Sequence, residues 1–208
     1  NLPRCTPCHG GDGIMITMGI DPSLTSTGIV VLRDGEIEIA QTTQNRPELG
    51  TIYRVHSILH QIIGTLNDMD DIYKPELSQA PDLIVIEGFS YGSKGRSVFD
   101  TAYLGWRIRE ELERLKNVDN IPWIEVSPSQ LKKFATGQGT APKEIILQQI
   151  YKRWGVELHD NNQGDAFVLA KIGEAYLGNR GGWTVNQQEI IAALKGEKPA
   201  KKPRKQVK

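Results

Sequence analysis

With 208 residues, 38% of them hydrophobic and 24% charged, the chain can close one sizeable core and has none of the compositional bias of fibrous or disordered proteins. No apolar run reaches the roughly 20 residues of a membrane span, residue 1 onward shows no secretory pattern, and two cysteines are too few for a disulfide scaffold, so a reducing, cytoplasmic compartment without a membrane partner is expected. The formal charge is zero but unevenly placed: residues 195–208 carry seven Lys/Arg against one Glu, a net of +6, which leaves −6 on the remainder.

Residues 1–14 read as a flexible leader rich in Gly and Pro. Cys5-Thr6-Pro7-Cys8-His9 has the spacing of a haem-attachment motif, set aside because that chemistry needs an export route, and of half a zinc site with His56 and His60; a leader without a structural role is the default. A domain is expected over 15–180. Residues 15–21 alternate and end on Asp21, a first strand. A Pro/Ser/Thr turn from Pro22 to Thr27 leads to a second strand, Gly28 to Leu32. Asp34-Gly35 signals a two-residue hairpin, and the alternation of Glu36 to Ala40 marks an outer third strand.

Pro47-Glu48 opens a helix on which Leu49, Ile52, Val55, Leu59, Ile62 and Leu66 recur at helical spacing to about residue 68. A polar loop (69–81) precedes Leu83 to Ile86, a continuous apolar run suited to a parallel strand buried on both faces. A Gly/Ser/Lys/Arg loop (88–97), a helix near 98–116, a strand over 121–126 and a short helix over 129–136 follow. Helices over 143–154 and 163–177 come next, with Thr140 as N-cap and Pro142 in the first turn of the former. Residues 181–194 form a C-terminal extension, and 195–208 a Pro- and Lys-rich tail expected to be disordered and to contact nucleic-acid phosphates.

Three segments carry the chemistry. Ile16 to Asp21 and Leu83 to Glu87 are apolar runs that each end in a carboxylate, and Asp160 to Ala166 opens a helix with acidic and amide side chains. A carboxylate at the end of a buried strand is costly unless something offsets its charge. Gathered together, such groups repel, and divalent cations are the usual remedy. Oxygen donors without Cys or His favour Mg²⁺ or Mn²⁺, which points to a metal-dependent enzyme acting on phosphates.

The segments GIDPSLTSTGI (19–29), IVIEGF (84–89), VSPSQLKKFATGQGTAPKE (126–144) and DNNQGDAFVLA (160–170), in that order, resemble RuvC-type Holliday junction resolvases, especially the branch carried by bacteriophages. The element order matches their ribonuclease H-like arrangement. It implies an α/β fold with a mixed five-stranded sheet, three antiparallel strands then two parallel, flanked by helices, in which the ends of the first and fourth strands are neighbours beneath the last helix. It also implies a homodimer that cuts branched DNA symmetrically with two Mg²⁺ ions per site (or Mn²⁺ in their place), in the host cytoplasm if phage-encoded. By position, Asp21, Glu87 and Asp165 match three family carboxylates, with Asp21 bridging the ions. The fourth is open: Asn162 stands where bacterial relatives have Asp, and Asp160 is the nearest carboxylate.

Further roles follow from the same resemblance. Lys143 contacts DNA beside backbone amides of the 137–140 turn; Lys132 and Lys133 contact DNA or form a solvated face. Phe89, with Tyr91, Lys94 and Arg96 in its basic loop, meets the bases at the junction, or Phe89 covers the core. The helix bearing Val98, Ala102, Gly105, Trp106 and Ile108 is the dimer face or an ordinary core helix. The hydroxyls of Ser23, Thr25, Ser26 and Thr27 read as turn-forming. Competing functions are a ribonuclease H-like RNA-processing nuclease and a non-cleaving branched-DNA-binding protein; a sugar kinase/actin-like ATPase would need a second, duplicated domain.

Overall fold

The computed structural model describes residues 14–45, 48–69, 80–89, 97–178 and 182–197. Strands β1 (Ile16–Asp21), β2 (Gly28–Arg33), β3 (Glu36–Thr42), β4 (Leu83–Glu87) and β5 (Trp123–Val126) form one sheet in the order β3-β2-β1-β4-β5. β2 runs antiparallel to β1 and to β3, whereas β4 is parallel to β1 and to β5. The expected mixed five-stranded sheet is thus present. Asp34 and Gly35 turn the β2–β3 hairpin with φ of 50° and 89°, the left-handed pair that a tight two-residue turn requires.

Helices cover both faces: α1 (Thr51–Met69), α2 (Ser97–Val118), α3 (Pro128–Thr136), α4 (Lys143–Trp154), α5 (Asn161–Leu177) and α6 (Val185–Leu194). Strand alternation sorts the core into two layers. Ile16, Met18, Ile20, Val31, Ile84 and Ile86 pack with α1 and α2, while Val30, Leu32, Leu83 and Val85 pack with α3, α4, α5 and α6. Helix α5 is buried on every side from Gly164 to Ala175, because the sheet lies beneath it and α3, α4 and α6 pack against it.

Several boundaries differ from the sequence reading. Helix α1 starts at Thr51, after Gly50, a residue that gains least from a helix. Ile52, in the first turn, lies beyond the buried stripe and is 66% exposed. Strand β5 starts at Trp123, because Pro122 cannot donate to the ladder, although its carbonyl accepts from Ile84 N. The extension over 181–194 holds α6, closed at its start by a capping box between Thr184 and Gln187; Ile190 and Ile191 seat it on the core. Lys195 to Glu197 hydrogen-bond back onto the end of α6; the rest of the basic tail and the Cys5/Cys8/His9 run lie outside the described residues. Among the described residues, no helix is long and apolar enough to cross a membrane.

Candidate active site

On β1, Thr17 and Gly19 face α5: Thr17 Oγ1 donates to the Ala170 carbonyl at 3.0 Å, and a Cβ on Gly19 would lie 1.9 Å from the Ala166 carbonyl oxygen. Asp21, two and four residues further on, falls on the same face. Glu87 follows Leu83 and Val85 onto that face from β4. The parallel register sets Ile20 against Ile86, so the two carboxylates that end these strands are neighbours. The two groups act on each other: the Glu87 charge is among the causes that raise Asp21. Asp165, in the second turn of α5, completes a group of three. Asp21 is 5% and Asp165 4% exposed.

Burial, then the neighbouring Glu87 charge, pushes Asp21 well above the usual carboxylate range. Burial also raises Glu87, with the Asp165 charge adding to it. Asp165 is pushed up to about 6, first by burial and then by Asp21. Against this stand two cations. Lys143 Nζ lies 3.6 Å from Asp165 Oδ2, and Lys132 lowers Glu87 and Asp165 through space. Buried, mutually repelling carboxylate oxygens with no sulfur or imidazole suit a hard divalent cation. Among the described residues, no three Asp, Glu, His or Cys side chains are grouped closely enough to hold a metal ion as they stand; Asp165 pairs with Lys143.

The approach to Lys143 is built differently from the sequence expectation. The N-cap of α4 is Pro142, with no side-chain cap, so Thr140 does not cap; Pro142 already holds the extended conformation that the cap position needs. Lys143 is the first helical residue. On α3, Ser127 and Gln130 form a capping box, and Lys133 Nζ pairs with Glu189 of α6 at 3.0 Å, which directs that lysine along the protein surface.

The two candidates for the fourth position are tied to each other. Asp160 is the N-cap of α5. Its Oδ1 accepts from Asn162 N at 2.8 Å and Asn162 Nδ2 at 3.0 Å, and its Oδ2 accepts from Thr42 Oγ1 at 2.5 Å. Its charge still reaches Asp21. Asn162 also donates to Ser26 Oγ at 3.1 Å, and its backbone sits so close to β2 that a Cβ on Gly28 would meet the Asn162 carbonyl oxygen at 2.1 Å. The hydroxyl cluster is a turn network: Thr27 Oγ1 donates to the Ser23 carbonyl at 2.8 Å, and Thr27 N donates to Thr43 Oγ1 at 3.1 Å.

Beyond Glu87, Phe89 is half-buried on α2. Its ring centroid is 5.7 Å from that of Trp106 and 4.0 Å from the Arg109 guanidinium. An open cavity of about 440 Å³ lies beside it, lined among others by Pro22, Glu87, Phe89, Gly105, Trp106 and Arg109. Tyr91, Lys94 and Arg96 lie outside the described residues. On α2, Ile108 is buried in the core while Phe99, Tyr103 and Trp106 are exposed. Arg109 was not legible as a site residue: as the fourth residue of WRIR it looks like one more surface charge, yet it is 7% exposed.

A ribonuclease H-like sheet with strand-end carboxylates facing one helix is an arrangement that polynucleotide-cleaving enzymes use. Residues 17–170 match the family described as crossover junction endodeoxyribonuclease RuvC. Curated relatives carrying that name include those of Synechococcus sp. (strain WH7803), 26% identical over 168 residues, 76% of this chain and 97% of that protein, and Ehrlichia ruminantium (strain Welgevonden), 27% identical over 166 residues, 75% and 94%. Among solved structures, Thermus thermophilus RuvC superimposes with a TM-score of 0.57 at 18% identity, covering 89% of this chain and all (100%) of that one. The same organism's RuvC in complex with Holliday junction substrate superimposes at 0.56 with 21% identity, covering 75% and 90%. The chain belongs to the RuvC family of crossover junction endodeoxyribonucleases, metal-dependent hydrolases of phosphodiester bonds in DNA.

Proposed function

We propose that this chain is a homodimeric, structure-selective endonuclease that cuts Holliday junctions and related branched DNA in the cytoplasm, using two Mg²⁺ ions held by Asp21, Glu87, Asp165 and either Asp160 or Asn162. The observation that carries the reading is the convergence of three raised carboxylates from β1, β4 and α5 on one sheet face, with family membership behind it. When bound, such ions supply an activated water and a counter-charge for the departing 3′ oxygen.

The chain's own residues account for the rest. Asp21, Glu87 and Asp165 all act on one another, and by its match to the family carboxylate on the first strand Asp21 would be the donor shared by the ions. Lys143, 57% exposed at the side chain, can release Asp165 and turn to a phosphate at the first turn of α4, the end of a helix that favours an anion. Lys132 adds positive potential from α3. Phe89, two residues past Glu87, would offer an aromatic face for stacking on a base, worth about 1–3 kcal/mol. Exposed Phe99, Tyr103 and Trp106 on α2 give the apolar surface for a two-fold dimer, whose symmetry would match the two cuts that a four-way junction needs. Asn162, a neutral donor where bacterial relatives carry Asp, accords with the bacteriophage-carried branch.

The test is Asp21→Asn on a four-way junction, a flap, a linear duplex and an RNA duplex, with Mg²⁺. Cleavage of the junction should vanish while binding persists, because affinity comes from the cations and not from the carboxylates. Near wild-type cutting by the variant would remove the site assignment, and preference for RNA would replace the substrate.

A further inference from the structure

The segment Glu87–Gly88–Phe89 connects the cleavage carboxylate to the aromatic ring, and Arg109 grips it from one side. The Arg109 guanidinium uses all of its edges. Nε and Nη2 form a fork on Glu125 Oε2 at 2.8 and 2.7 Å. Nη1 donates to the Gly105 carbonyl at 2.9 Å, Nη2 reaches the Glu87 carbonyl at 3.4 Å, and the plane lies 4.0 Å from the Phe89 ring centroid. Glu125, the partner in the fork, closes over the middle of the same segment: a Cβ on Gly88 would meet its Oε1 at 2.7 Å. Gly88 N in turn donates to the Val126 carbonyl at 2.8 Å. The ring itself is pressed onto α2, where a Cβ on Gly105 would come within 2.4 Å of Phe89 Cε1.

We propose that Arg109, fixed by Glu125, is a positioning residue that holds the Phe89 ring and the end of β4 as one rigid unit, so that engagement of a junction base by Phe89 sets the phosphate against Glu87. This rests on the functional reading above. The geometry is specific to arginine: a planar fork can satisfy a carboxylate and two carbonyls while its face stacks on an aromatic ring, whereas an ammonium cannot do both.

The experiment uses the full chain and a four-way junction with 2-aminopurine at its centre, comparing wild type with Arg109→Lys, Arg109→Met, Glu125→Gln and Phe89→Ala. Thermal unfolding of each variant reports the fold; if Arg109→Met does not fold, Arg109→Lys, which keeps the charge, carries the test. Wild type should unstack the probe and raise its fluorescence. Arg109→Lys should lose most of that rise, as Phe89→Ala does, and its kcat should fall about ten- to a hundred-fold, the scale of an ångström-level misplacement, with KM within about threefold. Glu125→Gln, which keeps an acceptor for the fork, should retain more of both signals than Arg109→Lys. Wild-type fluorescence and kcat in Arg109→Lys overturn the proposal, as does a fall in kcat with the full fluorescence rise, which would separate Arg109 from the ring. A wild-type protein that leaves the probe stacked overturns the role of Phe89 at the junction and the proposal with it.

Discussion

Asp165 offers a way to measure how far the carboxylate group is held against its own repulsion. Its folded pKa of about 6 stands above the ordinary value of 3.8, and the difference corresponds to about 3 kcal/mol at 1.36 kcal/mol per unit. Between those two values the native state binds more protons than the unfolded state, so stability falls as pH rises through the window from about 4 to 6 and then levels. The neutral substitution Asp165→Asn removes that loss. In chelator, urea unfolding should show the variant about equal to wild type near pH 4 and more stable by up to about 3 kcal/mol at pH 8, less whatever the Lys143 pair gave up. Adding Mg²⁺ should close the gap from the other side, since a ligand at a hundredfold its Kd stabilises the native state by about 2.7 kcal/mol, and wild type should gain more than the variant. A variant less stable than wild type at pH 8, or a wild-type curve flat from pH 4 to 8, would refute the claim that burial and like charge strain this residue.

Gly19→Ala should cost more than about 3 kcal/mol in urea unfolding, because the new methyl would meet backbone at 1.9 Å and the strand or α5 must move. Asp160→Ala should lower the unfolding free energy by about 1 kcal/mol through loss of the α5 cap; compared with Asn162→Ala in a Mg²⁺ titration of cleavage, the variant with the larger rise in half-saturating Mg²⁺ identifies the fourth donor. Light scattering should give twice the 23.2 kDa chain mass, and Trp106→Asp should bring it to one. Removing residues 195–208 should weaken binding to all DNA structures alike and lower the salt slope by about 0.9 for each phosphate that the tail neutralises.

The site-bearing strands were legible because period-two alternation and the fully apolar run of β4 leave few places for a carboxylate except the end. Asp165 was legible from its helix entry, and the Asp34-Gly35 turn from its chemistry. What escaped depended on long-range packing. Helix α6 carries a Thr-x-x-Gln capping signature at Thr184 and Gln187, a local signal available in the sequence; its apolar pair Ile190-Ile191 is too short a stripe to mark a helix by periodicity alone. Thr140 has the chemistry of a cap, but the chain enters α4 two residues later. Asp160 reads equally as ligand or cap, and only the contact with Thr42, 118 residues away, shows both oxygens engaged. Arg109 is beyond any local pattern, since all its partners except the Gly105 carbonyl on its own helix come from β4, β5 and the turn after Glu87.

Helix α5 lies in the centre of the molecule and not at its rim, with backbone pressed against β1 at Gly19 and against β2 at Gly28. Segments so enclosed open at free energies that approach that of global unfolding, so their amide protons should be among the slowest to exchange. Asp165 is therefore expected to loosen only with the core that holds it. Heat or denaturant should extinguish cleavage and the fold in one transition, with no inactive native-like form between. The same embedding constrains how such an enzyme changes over time: its reaction centre is inherited with the core, and new substrate preferences have to be written on the exposed faces of α2 and α4, where side chains can be exchanged without disturbing the helix that carries the chemistry.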